Sequence, residues 1–345
     1  MDISAVGVDL AKHVFQIHAV DAHGHPVLCK RLSRSQMTTF FARQSPCLIG
    51  MEACGGAHYW ARTLESMGHT VKLMAPRFVK PYVKTNKNDR NDAEAICEAV
   101  QRPNMRFVAI KSIEQQSILH LHVSRQLLVK MRTQLSNHLR GLLGEYGLIL
   151  PQGIAHLADI PVLAEDASNG LPGTLRQLLM EILDHFRQLE RKITVIEAQI
   201  RQWHRNSEAS QRLAEIPGIG LLTATALVGH IGTHAQGFIS GRHLAAYLGL
   251  VPRQHSSGGK QRLAHISKRG DPYLRTLLIH GARAVIRMCQ GIQRCGTTPI
   301  DPWLRRLLQR KHPNQAAVAQ ANRNARIAWA LLAHSRSYHS PAGAV

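Results

Sequence analysis

Ala5-Val6-Gly7-Val8-Asp9 is a short apolar run that closes on a carboxylate, and the order of the runs after it constrains the fold more than any other feature of the chain. Short alternating apolar stretches bounded by turn residues read as strands, and longer stretches with apolar positions three and four apart read as helices. A second strand then covers His13 to Val20, a turn follows at Asp21-Ala22-His23-Gly24, and a third strand covers Pro26 to Leu32, which together make an antiparallel meander. Ser33 or Ser35 caps a helix running to about Arg43. Cys47 to Glu52 is a buried strand that again ends on an acid, Ala57 to Met67 is helical, and Thr70 to Met74 is extended. The basic segment Arg77 to Lys87 leads into Asn88-Asp89-Arg90-Asn91-Asp92-Ala93-Glu94, where two aspartates three apart open a further helix.

Three strands, helix, strand, helix, strand and an acid-bearing helix is the element order of the ribonuclease H-like α/β fold. In such a sheet the first and fourth strands end side by side, and the last helix lies over those ends. Asp9, Glu52, Asp89 and Asp92 are then expected to converge. Four carboxylates supply hard oxygen ligands for two Mg²⁺ ions, which stabilise the attacking and leaving oxygens of a phosphoryl transfer. Each acid taken singly also has an ordinary role. Asp9 suits a turn, Glu52 suits the loop Ala53-Cys54-Gly55-Gly56, and Asp89 and Asp92 complement a helix dipole. Two caps are compatible with the helix start: Asn88, or Asn91 with Glu94 closing a capping box.

The charge balance points to the partner. Lys and Arg number 43 against 22 acids, a net charge of +21 over 345 residues, and the pI is near 10.5. A surplus of that size suits a polyanion, because neutralising phosphates releases counterions. No apolar run approaches the roughly 18 residues of a membrane span, so no membrane partner is expected. Met1-Asp2-Ile3 runs straight into a strand, so no signal peptide is expected and the cytoplasm is the expected compartment. The six cysteines form no CxxC pair and read as reduced thiols. The 21 histidines form no metal-binding spacing.

From Ile113 to about Tyr146 the chain lacks proline, and Leu121, Leu128, Leu135 and Leu142 recur every seven residues. Turn signals fill Leu148 to Gly173. A second long helix then carries Leu175, Leu179, Ile182, Phe186, Leu189, Ile193, Ile196, Ile200 and Trp203, with spacings of four and three. That is a coiled-coil seam, serving an intramolecular hairpin or a subunit-joining arm. Ile216-Pro217-Gly218-Ile219-Gly220 before the helix Leu221 to Ile231 fits a helix-hairpin-helix, whose glycines Gly218 and Gly220 expose amides to a phosphate. Further on, Arg253, Lys260, Arg262, Lys268, Arg269 and Arg275 surround Ser256-Ser257-Gly258-Gly259. By composition that tetrapeptide is a polar linker between cationic clusters suited to a nucleic-acid backbone. Lys12, Lys87 and Arg90 stand beside the acids and suit the same partner. Trp303 to Lys311 is basic and amphipathic, and Asn314 to His334 reads as a closing helix with Trp329 and Leu331 buried.

Val6-Gly7-Val8-Asp9-Leu10-Ala11-Lys12, Gly50-Met51-Glu52-Ala53-Cys54-Gly55 and Lys87-Asn88-Asp89-Arg90-Asn91-Asp92-Ala93 resemble the DEDD transposases of insertion-sequence family one-hundred-and-ten, relatives of the pilin-gene invertases. Asn88-Asp89 stands where the family often carries Thr-Asp, a change beside the acids that leaves them intact. The resemblance continues from Ile216 through about Ala284. It implies a RuvC-like domain with Asp9, Glu52, Asp89 and Asp92 as its tetrad, and a C-terminal domain with a nucleophilic serine directly before a glycine. Here that serine is Ser257, with Ser256 its competitor. It further implies double-stranded donor and target DNA, a structured noncoding guide RNA, and a tetramer of two dimers. No histidine triad is evident near Ser257, so its activation is expected from the metal site.

The expected domains are a RuvC-like domain over 1–112, long helices over 113–205, a C-terminal transposase domain over 206–335, and a flexible tail over 336–345. The expected activity is an RNA-guided insertion-sequence transposase working through a phosphoserine intermediate. One alternative is a RuvC-like structure-selective nuclease using activated water. The other is a nonenzymatic nucleic-acid-binding protein.

Overall fold

Strands β1 (Ala5–Leu10), β2 (Val14–Val20) and β3 (Pro26–Ser33) form the antiparallel meander, and helix α1 (Arg34–Phe41) leads away from it with Ser33 in a capping box. Strand β4 (Leu48–Glu52) returns parallel to β1, and helix α2 (Ala57–Glu65) precedes β5 (Thr70–Met74), parallel to β4. The short helix α3 (Pro76–Val79) and a 3₁₀ turn lead toward α4 (Asp89–Val100), and β6 (Phe107–Val108) pairs antiparallel with β5. The sheet order is β3-β2-β1-β4-β5-β6. The sequence pattern does not give α3 or β6: the first is too short for periodicity to register, and the second is a two-residue edge. This computed structural model describes residues 3–84, 86, 88–235, 237–295 and 301–339, without the side chains of 291–295.

The first compact unit is Met1–Ile113 with Ala235–Ile239. Strand alternation sorts its two faces. Val6 and Val8 join Phe15, Ile17, Ile49 and Met51 in one core with Phe41, Trp60 and Leu64 of α1 and α2. Gly7 and Gly50 pair side by side on the other face, beneath α4. A Cβ at Gly7 would stand 2.8 Å from the Cys97 Cβ and closer still to the Ala93 carbonyl. A Cβ at Gly50 would stand 2.7 Å from the Val100 Cβ. The glycine pair is thus the floor on which α4 rests.

The second unit is Glu114–His234 with Ser240–Val345. Its long helices α5 (Ile113–Gly144) and α7 (Gly173–Arg205) are linked by α6 (Ile160–Glu165) and two 3₁₀ turns, structure where the sequence shows only turn signals. Arg125 bonds Glu197 and Arg132 bonds Glu190, both at 2.7 Å. The pairs advance along one helix as they retreat along the other, so α5 and α7 lie antiparallel as an intramolecular hairpin. Leu139 and Leu143 pack with Leu179, Leu183 and Phe186 in its core. Leu121, Leu128, Leu135 and Leu142 are only half-buried. The deepest stripe of α5 is instead Ile118, His122, Ser136, Leu139 and Leu143, because α5 also packs on α9 (Leu221–Ile231) near its start.

Helix α8 (Glu208–Ala214) and α9 form the helix-turn-helix around Gly218. Helix α10 (Gly241–Tyr247), the hairpin β7 (Pro252–Gln254) and β8 (Leu263–Ile266), and helices α11 (Pro272–Cys295), α12 (Pro302–Arg310) and α13 (Pro313–Ala333) complete the unit. Leu331 is buried as expected, but Trp329 is half-buried and lines a cavity. In the expected tail, the Tyr338 amide donates to Glu215 at 3.1 Å, and residues 340–345 lie outside the described residues. No described helix is long and apolar enough to cross a membrane.

A buried histidine ties three helices of this unit together. One ring nitrogen of His122 stands 2.9 Å from the Tyr273 hydroxyl and the other 3.0 Å from the Thr225 hydroxyl. Burial, then the nearby His230 and Arg125, push its pKa down to about 4. His230 in turn faces Asp271 at 3.3 Å. Because the folded value lies below that of a free imidazole, the unfolded chain takes up the proton first as pH falls. The stability is therefore present above about pH 6.5 and is lost toward pH 4. Moving from about pH 7.5 to about pH 5 should cost this unit up to about 2 kcal/mol through His122. Urea midpoints of wild type and His122→Gln at the two pH values check this, since the variant should lose less on acidification.

Candidate functional site

Asp9 is the fifth residue of β1 and Glu52 the last of β4, and Val8 pairs with Met51 in the parallel register between them. The two carboxylates therefore leave adjacent strands at the same end, on the face that carries Gly7 and Gly50. Both are half-buried. Cys54 reports their convergence: its thiol is pushed up, first by partial desolvation of the sulfur and then by the charges of Glu52 and Asp9. One small side chain feels both acids at once.

Asp89 and Asp92 occupy the first turn of α4. The cap is Asn88, whose side chain accepts from the Asn91 amide at 2.8 Å, so both aspartates share the helical turn. The Cys97 sulfur lies over the Ala5 carbonyl, and Ala93 lies over Gly7. Four helical residues advance about 6 Å and two strand residues about 6.6 Å, so helix and strand run in step and in opposite directions. The first turn of α4 therefore points toward the Asp9 end of β1. His18, paired with Gly7 on β2, is lowered by burial and also feels Glu94 and Arg90, which shows the front of α4 reaching across toward β2. Lys84 braces this approach through Glu94 at 3.1 Å and Glu98 at 3.3 Å.

Among the described residues, no group of three acids, histidines or cysteines stands close enough to hold a metal ion. The structure brings Asp9 and Glu52 together and sets Asp89 and Asp92 at the same end of the sheet, without closing the four into one shell. The donor set itself, all hard carboxylates, fits a hard divalent metal ion. Lys12 and Arg90 are exposed nearby, and Lys87 lies outside the described residues.

In the second unit, Ser257 is held in a turn rather than in a linker. Gly258 and Gly259 have φ of 55° and 75°, and the Lys260 amide donates to the Ser257 carbonyl at 3.0 Å. Two positive-φ residues between hairpin strands form the tight turn that matches strand twist, and only glycine enters it without strain. The Gly-Gly pair was the sequence signal for this hairpin. The two serines differ in their bonding. The Ser256 hydroxyl accepts from Gln254 Nε2 at 3.0 Å and the Arg262 amide at 3.3 Å. The Ser257 hydroxyl is exposed and has no hydrogen-bond partner among the described residues. Lys260 stands opposite Ser257 across the turn, and Arg253, Arg262, Lys268 and Arg269 are exposed around the hairpin.

Two predicted contact residues have work inside the fold. Arg275 donates to the carbonyls of Leu248 and Arg269, clamping the loop before α11. Gly218, at φ 87°, packs directly on Gly281 of α11, where a Cβ would meet the Gly281 oxygen at 2.9 Å. Gly220 stays exposed as the cap of α9.

Residues 6–148 match a transposase family model of the DEDD type, and residues 210–297 match the model of the transposase IS116/IS110/IS902 family. The chain belongs to the IS110 transposase family. Across almost its whole length it is 51% identical to the "Probable family 20 transposase" of Pseudomonas aeruginosa, covering 98% of this chain and 99% of that one. The transposase for insertion sequence element IS1111A of Coxiella burnetii is 43% identical over 98% of this chain and 92% of its own. That for IS1328 of Yersinia enterocolitica is 42% identical over 96% and 97%. The chain is thus a transposase, an enzyme that cuts and rejoins DNA, and a domain of the DEDD type implies dependence on a divalent metal.

Proposed function

We propose that this transposase is a DNA recombinase whose N-terminal, ribonuclease H-like (RuvC-like) unit binds Mg²⁺ through Asp9, Glu52, Asp89 and Asp92, and whose Ser257 attacks the scissile phosphate. The observation that carries the metal half is the placement of Asp9 and Glu52 on adjacent parallel strand ends, both felt by Cys54, with the first turn of α4 directed to the same end. When bound, the metal supplies Lewis-acid stabilisation of charge developing on the phosphate and its bridging oxygens. Asp9 and Glu52 would hold it from the strand ends, and Asp89 and Asp92 from the first turn of α4.

The serine step balances without an external energy source. The Ser257 oxygen forms a bond to phosphorus, the bond to one bridging oxygen breaks, and the serine proton passes to solvent or a base while the leaving oxygen is protonated. A DNA hydroxyl then attacks the phosphoserine, restoring a phosphodiester and the free serine. Lys260 and the arginines of the hairpin fix the DNA backbone beside Ser257. Support for Ser257 over Ser256 comes from bonding, since Ser256 already holds the hairpin together through two hydrogen bonds.

The domain limits that go with this function are a RuvC-like domain over 1–112, a helical arm over 113–205 and a serine domain over 206–335. A structured guide RNA pairs with target and donor DNA, the α5–α7 arm joins subunits into dimers and tetramers, and the work is done in the bacterial cytoplasm at the nucleoid. The +21 net charge is compatible with an RNA partner beside the DNA.

The test is strand cleavage and rejoining of cognate DNA, with its RNA, in Mg²⁺ and in chelator. Asp9→Asn and Glu52→Gln should each lower the rate by about 10³-fold or more, with DNA affinity retained. Undiminished activity in chelator would remove the metal half of the proposal.

A further inference from the structure

Beside the root of the serine hairpin, the second unit holds a cavity of about 1080 Å³. Its floor is apolar and includes Leu250, just before β7, and Ile266 of β8. Two tryptophans, Trp303 of α12 and Trp329 of α13, line it and are half-buried, and His334 packs edge-on against Trp329. Arg242 and Arg326 also line it. Both are exposed, and neither guanidinium has an ion pair or hydrogen bond among the described residues. A third arginine behaves differently: Arg323 stacks over the Trp303 ring at 4.7 Å and is paired with Asp301. That carboxylate neutralises Arg323 and fixes the indole, and it is not part of the lining. Among the described residues, no acid lines the cavity.

An apolar floor, two indoles in the wall and unpaired guanidiniums at the edge form the combination that receives an unstacked base with its phosphate. An apolar segment of a protein would use the floor and the indoles but would bring no anion to the two arginines at the edge. We propose that this cavity binds one unstacked nucleotide of the single-stranded DNA exposed when the transposase opens its substrate, the base lying against Trp303 or Trp329 and the phosphate on Arg242 and Arg326. The cavity opens beside Pro252, and Ser257 lies five residues further along the hairpin, about 17 Å of extended chain. A nucleotide held there anchors the strand a few nucleotides from the reacting phosphate. The proposal rests on DNA being the substrate, and not on the serine or metal chemistry.

The test uses the full chain carrying Ser257→Ala, so that binding is read without reaction. A short single-stranded oligodeoxynucleotide containing 5-bromodeoxyuridine is bound, irradiated and mapped by mass spectrometry. The cross-link is expected on the peptide bearing Trp303 or on that bearing Trp329. Arg242→Ala with Arg326→Ala, both surface changes, should weaken the affinity for this oligonucleotide by about tenfold or more. Duplex DNA and RNA of the same sequence should compete less well than unlabelled single-stranded DNA. Absence of cross-links at both tryptophans, wild-type affinity in the double variant, or better competition by RNA or duplex would each overturn the proposal. Any of these results beside normal covalent capture of DNA by the wild-type serine would sink the pocket alone and leave the serine step standing.

Discussion

Gly7→Ala should unfold or grossly destabilise the N-terminal unit, by about 3 kcal/mol or more, and should abolish DNA cleavage with it. The added methyl has no room. It would fall against the Ala93 carbonyl and the Cys97 amide, both backbone atoms of α4, and at 2.8 Å from the Cys97 Cβ. Backbone cannot rotate away as a side chain can, so α4 must rise off the sheet. That movement uncovers Ala93, Ile96, Cys97 and Val100, which are buried, and carries Asp89 and Asp92 away from the Asp9 end of β1. The control is Gly55→Ala in the loop after β4, where a Cβ would meet nothing within 4 Å. Thermal unfolding followed by circular dichroism should show a large fall in Tm for the first variant and little change for the second. A folded Gly7→Ala protein with normal activity would mean that α4 does not rest where the contacts place it.

That seat was the part of the N-terminal unit hardest to read from sequence. Strands β1 to β5 announce themselves through alternation and bounding turns, and Thr70–Met74 falls on its expected limits. Glycines inside strands carry no such signal, because a glycine that admits a helix looks the same as one that merely weakens a strand. Asp9 and Glu52 were legible as candidates for the same reason that the strands were: they close apolar runs, while Asp89 and Asp92 stood out by their spacing at a helix start. Their distances were not legible, since Asp89 and Asp92 depend on how α4 crosses the sheet. In the second unit the ambiguity of glycine worked the other way. Gly218 reads as a phosphate-facing loop residue, and the side on which a Cβ would stand packs on Gly281, a second reason for glycine that the sequence does not show. Ser256-Ser257-Gly258-Gly259 reads as a linker by composition, whereas the Gly-Gly pair makes a tight turn that sets Ser257 at a defined place. The heptad leucines of α5 mark a helix correctly but not its deepest face, which is shifted by the buried His122 and by packing on α9.

Ser257→Ala should lower strand exchange by about 10⁴-fold or more while DNA binding stays near wild type. The hydroxyl is exposed and makes no hydrogen bond among the described residues, so its removal should leave the fold intact. Ser256→Ala should behave differently. It removes the acceptor for Gln254 and for the Arg262 amide, loosening the hairpin, and a moderate loss that varies with temperature is expected. Ser257→Cys separates the chemistry from the shape of the turn: the variant should fold and bind DNA, and any adduct it forms should be a phosphorothiolate joined through an S–P bond. A nuclease using activated water would keep cleaving after Ser257→Ala and would yield hydrolysed ends that do not rejoin. A protein that only binds nucleic acid would cleave in none of these forms.

The most direct measurement is denaturing capture of the protein on labelled cognate DNA in the presence of its RNA and Mg²⁺, followed by peptide mapping. A covalent protein–DNA adduct on Ser257, absent in Ser257→Ala and in chelator, is the expected result. Cleaved and rejoined DNA with no adduct at any time point, or an adduct on Ser256, would contradict the assignment of Ser257 as the nucleophile.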